Sequence, residues 1–134
     1  MRVFTPEEAN AALPTVRSAV ERLVTARRSL SELERRLEPV RARVAGNGGG
    51  LHPGPVGALQ EEAAAAAGRL REAIGELDSL GVQVKDPDTG LVDFPARHPV
   101  DGSTVLLCWR LGEPDVAWWH TLESGFAGRK PLPF

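Results

Sequence analysis

The feature that most restricts this chain is a pair of apolar seams in which steps of four and three residues alternate. The first runs Val16, Ala19, Leu23, Ala26, Leu30, Leu33, Leu37, Val40 and Val44, and the second Leu59, Ala63, Ala66, Leu70, Ala73, Leu77 and Leu80. Such spacing keeps one stripe of a helix turned toward a partner helix, as in coiled coils. Residues 46–57 between the seams, GNGGGLHPGPVG, are too rich in Gly and Pro for regular structure and predict a flexible connection. Two helices are therefore expected to fold back on each other over residues 5–80, with Leu33 and Leu37 against Ala63, Ala66 and Ala67, large residues against small. Charge agrees, because residues 14–45 hold eight Arg against four Glu (+4) and residues 56–80 hold two Arg against five acids (−3).

Thr5-Pro6-Glu7-Glu8 reads as the helix start: the hydroxyl can cap free amides, Pro6 needs no amide partner, and Glu8 can reach back. Pro14 predicts a short helix leading into a long one, and Pro39 a bend or break in the last turns. Leu13, Val20 and Val24 widen the apolar face of the first half. That half is expected under further structure, with the narrower half projecting as a two-helix arm suited to oligomerisation.

After Gly81 the apolar period changes to two. Val82-Gln83-Val84-Lys85 and Leu91-Val92-Asp93-Phe94 flank the turn sequence Asp86-Pro87-Asp88-Thr89-Gly90, which predicts a hairpin. A second pairs Thr104–Leu111 with Val116–Thr121 across Gly112-Glu113-Pro114-Asp115. The expected fold is α+β: one domain over residues 1–134, a long antiparallel helical hairpin followed by a small antiparallel β-meander over residues 81–122, then an irregular tail over residues 123–134.

Composition excludes several function classes. A formal charge of −2 argues against broad phosphate-backbone binding, so nucleic acid is not expected as a partner. No apolar run is long enough for a membrane span, and the opening MRVFTP lacks the pattern of a secretory signal. A cytoplasmic location is expected. The single cysteine, Cys108, allows no internal disulfide and no multi-cysteine zinc site.

Strand parity places the chemistry-bearing residues. Val105, Leu107, Trp109 and Leu111 form one stripe and Val116, Trp118 and Leu122 another, with His120 in the phase of the second. If both stripes face the helices, the connecting loop has two or four residues and Cys108 lies on the opposite face from His120. A three-residue loop would bring them to one face. His120 then reads as a core histidine rather than the partner of Cys108 in a nucleophile pair or a metal site. The outer face of the sheet gathers Gln83, Lys85, Leu91, Asp93, Leu106, Cys108, Arg110 and Trp119, with Arg110 beside Trp119 in a cation-π contact. So much apolar area implies a cover: a ligand, the tail or a second subunit.

Asp88-Thr89-Gly90 spells the aspartic-protease triplet but sits in a turn, and the two-aspartate phosphatase pattern that Asp86–Gly90 brushes needs a parallel α/β sheet. Neither chemistry is expected. Gly125, Gly128, Arg129 and Lys130 could form an anion nest, although a plain surface loop fits the same residues.

Phe4–Asn10 (FTPEEAN), Gly81–Ala96 (GVQVKDPDTGLVDFPA), Leu107–Glu113 (LCWRLGE), Trp119-His120 and Gly125–Arg129 (GFAGR) resemble the bacterial domain of unknown function family 2203. The resemblance spans nearly the whole chain and implies no activity. It departs at Thr121, where an acidic residue is expected after the Trp-His pair.

Two function classes stay open. The first is a non-catalytic homo-oligomer binding a partner protein or a small anionic ligand on the outer sheet face, through Lys85, Asp93, Cys108, Arg110, Trp119 and Arg129. The second is an enzyme or metal-binding protein using Asp93, Cys108, Arg110 and His120. No catalytic residue, cofactor or metal ligand is assigned from the sequence.

Overall fold

Thr5 and Glu8 close a reciprocal cap at the start of the first helix. The Glu8 amide donates to the Thr5 hydroxyl at 3.1 Å and the Thr5 amide donates to the Glu8 carboxylate at 2.9 Å. These hydrogen bonds from Thr5 hold the Glu8 carboxyl below its ordinary range. The computed structural model describes residues 2–46 and 54–134. The flexible connection expected over residues 46–57 lies mostly outside the described residues, and both helices reach further into it than its composition suggests.

Helix α1 spans Pro6–Gly46 and α2 spans Pro55–Ser79. The expected interruption at Pro14 does not occur, nor does one at Pro39, because both lie within α1. Each proline is exposed. Its ring and the helical hydrogen bond it removes therefore fall on the hydrated side, where water can serve the freed carbonyl.

The seams pack as the spacing requires. Val16, Ala19, Leu23, Ala26, Leu33 and Leu37 of α1 are buried, as are Ala66, Ala73 and Leu77 of α2. Arg22 reaches across to Glu76 at 2.8 Å, one contact between the basic and the acidic helix. Among the described residues, no helix is long and apolar enough to cross a membrane.

Five strands follow: β1 Gln83–Asp86, β2 Leu91–Arg97, β3 Thr104–Arg110, β4 Trp118–Thr121 and β5 Lys130–Pro131. They form one antiparallel sheet in chain order. The tail expected to be irregular thus supplies a one-turn helix, Phe126–Gly128, and the edge strand. Val92, Phe94, Ala96, Val105, Leu107 and Trp109 share one core cluster with Leu13, Val16, Val20, Val24 and Leu77. The broad half of α1 therefore lies under the sheet. Leu33, Leu37 and Ala66 are buried outside that cluster, as an arm requires.

Asp86 ends β1 and the turn through Gly90 follows it, with Asp88 paired to Arg27 of α1 at 3.0 Å. The Asp86 carboxylate accepts from the Asp88 amide at 3.0 Å and from the Thr89 hydroxyl at 2.9 Å. Gly90, at φ 76°, is pressed so closely on α1 that an added Cβ would stand 2.9 Å from Val20 and 2.8 Å from Leu111. Only glycine fits both the angle and the space.

Candidate functional site

The connection between β3 and β4 decides which face each residue of β4 takes. Val116, expected to begin the strand, belongs instead to this connection. Its amide donates to the Asn10 side-chain oxygen at 2.8 Å, and its carbonyl accepts from the Asn10 amide nitrogen at 3.1 Å. The Trp109 indole fixes the other side, donating to the Glu113 carbonyl at 3.1 Å. With the connection held from Leu111 to Ala117, β3 and β4 align Leu106 with His120, Leu107 with Trp119 and Cys108 with Trp118.

This register reverses the parity expected for β4. Directly opposed residues of an antiparallel pair share a face. Trp119, expected on the outer face, points with Leu107 into the helix-facing side and joins the core cluster. His120, expected in the core, lies on the outer side with Cys108. Leu122, expected inward, is 62% exposed. The contact foreseen between Arg110 and Trp119 does not form; Arg110 instead lies over Phe126 at 5.4 Å, and Lys130 lies over Trp119 at 5.3 Å.

Parity in the first hairpin holds from Gln83 to Val84, beyond which the register shifts at Lys85 and sets Asp86 opposite Leu91. Val84 faces Val92, while Gln83 faces Asp93 on the outer side, and Asp93 in turn lies opposite Cys108. Three neighbouring strands thus bring Asp93, Cys108 and His120 together. One nitrogen, one sulfur and one carboxylate oxygen from these residues all lie within 4.8 Å of one another, and all three residues are buried. Cys108 lies on the outer face as its parity requires, yet has no exposed surface, so that face is covered at this position.

Hydrogen bonding specifies the protons. His120 Nδ1 is 2.8 Å from the Thr121 carbonyl, which can only accept, so Nδ1 carries hydrogen. His120 Nε2 is 3.1 Å from Asp93 Oδ2, and one shared proton completes that contact. Asp93 Oδ1 is buried with no hydrogen-bond partner. Burial pushes the Asp93 carboxyl above its ordinary value, against the opposing pull of His120 and, more weakly, of the Lys85 charge. Burial, with the Asp93 charge adding to it, pushes the Cys108 thiol up to about 11.

The tail roofs this cluster. Arg129 pairs with the Glu113 carboxylate at 2.9 Å and 3.2 Å and lies over Trp118 at 4.5 Å and Phe126 at 4.4 Å. Its charge acts against the rise of the Cys108 thiol. Lys85 and Arg110 are exposed at the margin. The polar residues that sequence reasoning left out are Asn10 and Glu113. The sole sign of Asn10 was its place in the FTPEEAN string, and Glu113 was read only as part of a turn.

The arrangement is poorly suited to nucleophilic catalysis. Both imidazole nitrogens are engaged elsewhere, so neither is free to take the Cys108 proton, and a thiol raised to about 11 is protonated at neutral pH. It suits metal coordination better. A metal-binding histidine usually donates its second ring N–H to a carbonyl or carboxylate, as Nδ1 does here to Thr121. No curated protein and no solved structure matches this chain. The match that does exist covers residues 2–132, and on it the chain belongs to the family described as uncharacterized conserved protein, DUF2203.

Proposed function

We propose that this protein binds a divalent transition-metal ion of the zinc class through His120 Nε2, Cys108 Sγ and the Asp93 carboxylate. The observation that carries the reading is the gathering of these three buried donors within 4.8 Å on one sheet face. Donors on one tetrahedral zinc lie about 3.3–3.6 Å apart, given bond lengths of roughly 2.0–2.3 Å, so small side-chain rotations complete the site. Thiolate, imidazole and carboxylate together favour zinc, cobalt or related ions over magnesium or calcium, which take oxygen. Carboxylate and thiolate would cancel the charge of a dication. The unpartnered Asp93 Oδ1 would also gain a role.

The anion-binding reading has weaker support, because Arg129, the most enclosed of its three cations, is already neutralised by Glu113. Zinc in excess of its dissociation constant by a factor of about 100 is expected to stabilise the protein by about 2.7 kcal/mol, raising Tm by roughly 10 °C. Magnesium should have no such effect. A melting curve unchanged by millimolar zinc, recorded with Cys108 kept reduced, would sink the proposal.

A further inference from the structure

The roof over the cluster is built differently from the sheet beneath it. Strand β5 is held to β4 at only two positions, Trp118 with Pro131 and Trp119 with Lys130, and proline has no amide to donate. One further backbone hydrogen bond, from the Leu132 amide to the Ala117 carbonyl at 2.8 Å, ends the attachment. The covering turn, Phe126–Gly128, is a single turn of helix entered through Gly125 at φ 62°. Arg110 lies over Phe126 at 5.4 Å from the exposed margin, but the more enclosed hold is Arg129. Arg129 lies over both Trp118 and Phe126 and forms two charge-assisted hydrogen bonds with Glu113. Glu113 is itself anchored, since its carboxylate accepts from the Arg110 amide at 2.7 Å.

We infer that Gly125–Pro131 is a latch closed over the Asp93–Cys108–His120 site, that the Arg129–Glu113 pair is its catch, and that opening the catch sets the rate at which a metal ion or reagent reaches Cys108. The part concerning metal rests on the reading proposed above; the part concerning access does not. A segment with so few strand hydrogen bonds, held mainly by one ion pair and cation-π contacts, opens locally at a fraction of the cost of global unfolding.

The test measures two rates in wild type, Arg129→Gln and Glu113→Gln: modification of Cys108 in the native protein by a small neutral aromatic disulfide, and zinc release to excess chelator. Glu113→Gln keeps an oxygen for the Arg110 amide and removes only the charge, which guards against simple misfolding. Both variants should react and release zinc at least about tenfold faster, the change produced by removing about 1.4 kcal/mol from the closed state. Their unfolding rates, measured in parallel, should stay well below the labelling rates. Wild-type labelling rates in both variants, or labelling that merely tracks global unfolding, would overturn the latch. Faster labelling in a protein that takes up no zinc would uphold the latch and remove the metal reading.

Discussion

Replacing His120 with leucine is expected to destabilise the metal-free protein by about 3–5 kcal/mol at neutral pH, the usual cost of leaving one half of a buried pair behind. The side chains of His120 and Asp93 are only 4% and 3% exposed, and Oδ1 of Asp93 already has no partner. Without His120, Oδ2 loses its partner too. The loss should shrink as pH falls. Burial already raises the Asp93 carboxyl, and removing the favourable histidine raises it further. An acid whose folded-state value lies above its unfolded one destabilises progressively as pH rises through that window. Replacing both Asp93 and His120 with leucine should recover most of the stability or exceed wild type. Urea denaturation of the three variants decides this. A His120→Leu protein within about 1 kcal/mol of wild type at neutral pH would mean that the pair is more hydrated than its burial implies. If the double variant is the more stable, the polar pair is retained for something other than folding.

The helical half was legible because its signals are local and redundant. The cap at Thr5 and Glu8, the seam from Val16 to Leu37 and the alanines of α2 each follow from spacing alone, and the structure repeats them. The first hairpin was legible for a similar reason, since Val84, Val92 and Phe94 leave one choice of inner face. The second hairpin was not. Trp118 and Trp119 put comparable apolar area into both phases of β4, so burial could not choose between them. The choice was made at a distance by Asn10, which holds Val116 out of the strand. A contact across so much sequence carries no periodic signature. Because it reverses parity, it moved His120 to the face of Asp93 and Cys108, the two partners the sequence had already placed outside. The edge strand Lys130–Pro131 is too short to show any period, so the tail could be named only as one of three covers for the outer face and not as a strand.

The affinity for zinc is expected to rise at least about tenfold per pH unit near neutrality, because binding displaces the Cys108 thiol proton. The sign follows from competition, since fewer protons need displacing as pH rises. The thiol part of the slope should persist across the accessible range, because burial holds that proton up to about 11. Cys108→Ser should bind far more weakly and release about one proton fewer than wild type, as serine stays protonated or binds as the neutral hydroxyl. Calorimetry in buffers of different ionisation enthalpy counts the protons. A slope near zero would show that zinc binds elsewhere, at sites needing no deprotonation.

If Asp93, Cys108 and His120 are ligands of one metal ion, cobalt(II) will report all three. Titration of the metal-free protein should produce the strong visible bands of tetrahedral cobalt together with a near-ultraviolet sulfur-to-cobalt charge-transfer band, both saturating at one equivalent. Cys108 is the only cysteine, so the charge-transfer band must vanish in Cys108→Ser, while Asp93→Asn and His120→Gln should weaken binding with the fold retained. A pale octahedral spectrum, lacking the charge-transfer band and unchanged by Cys108→Ser, would contradict the claim.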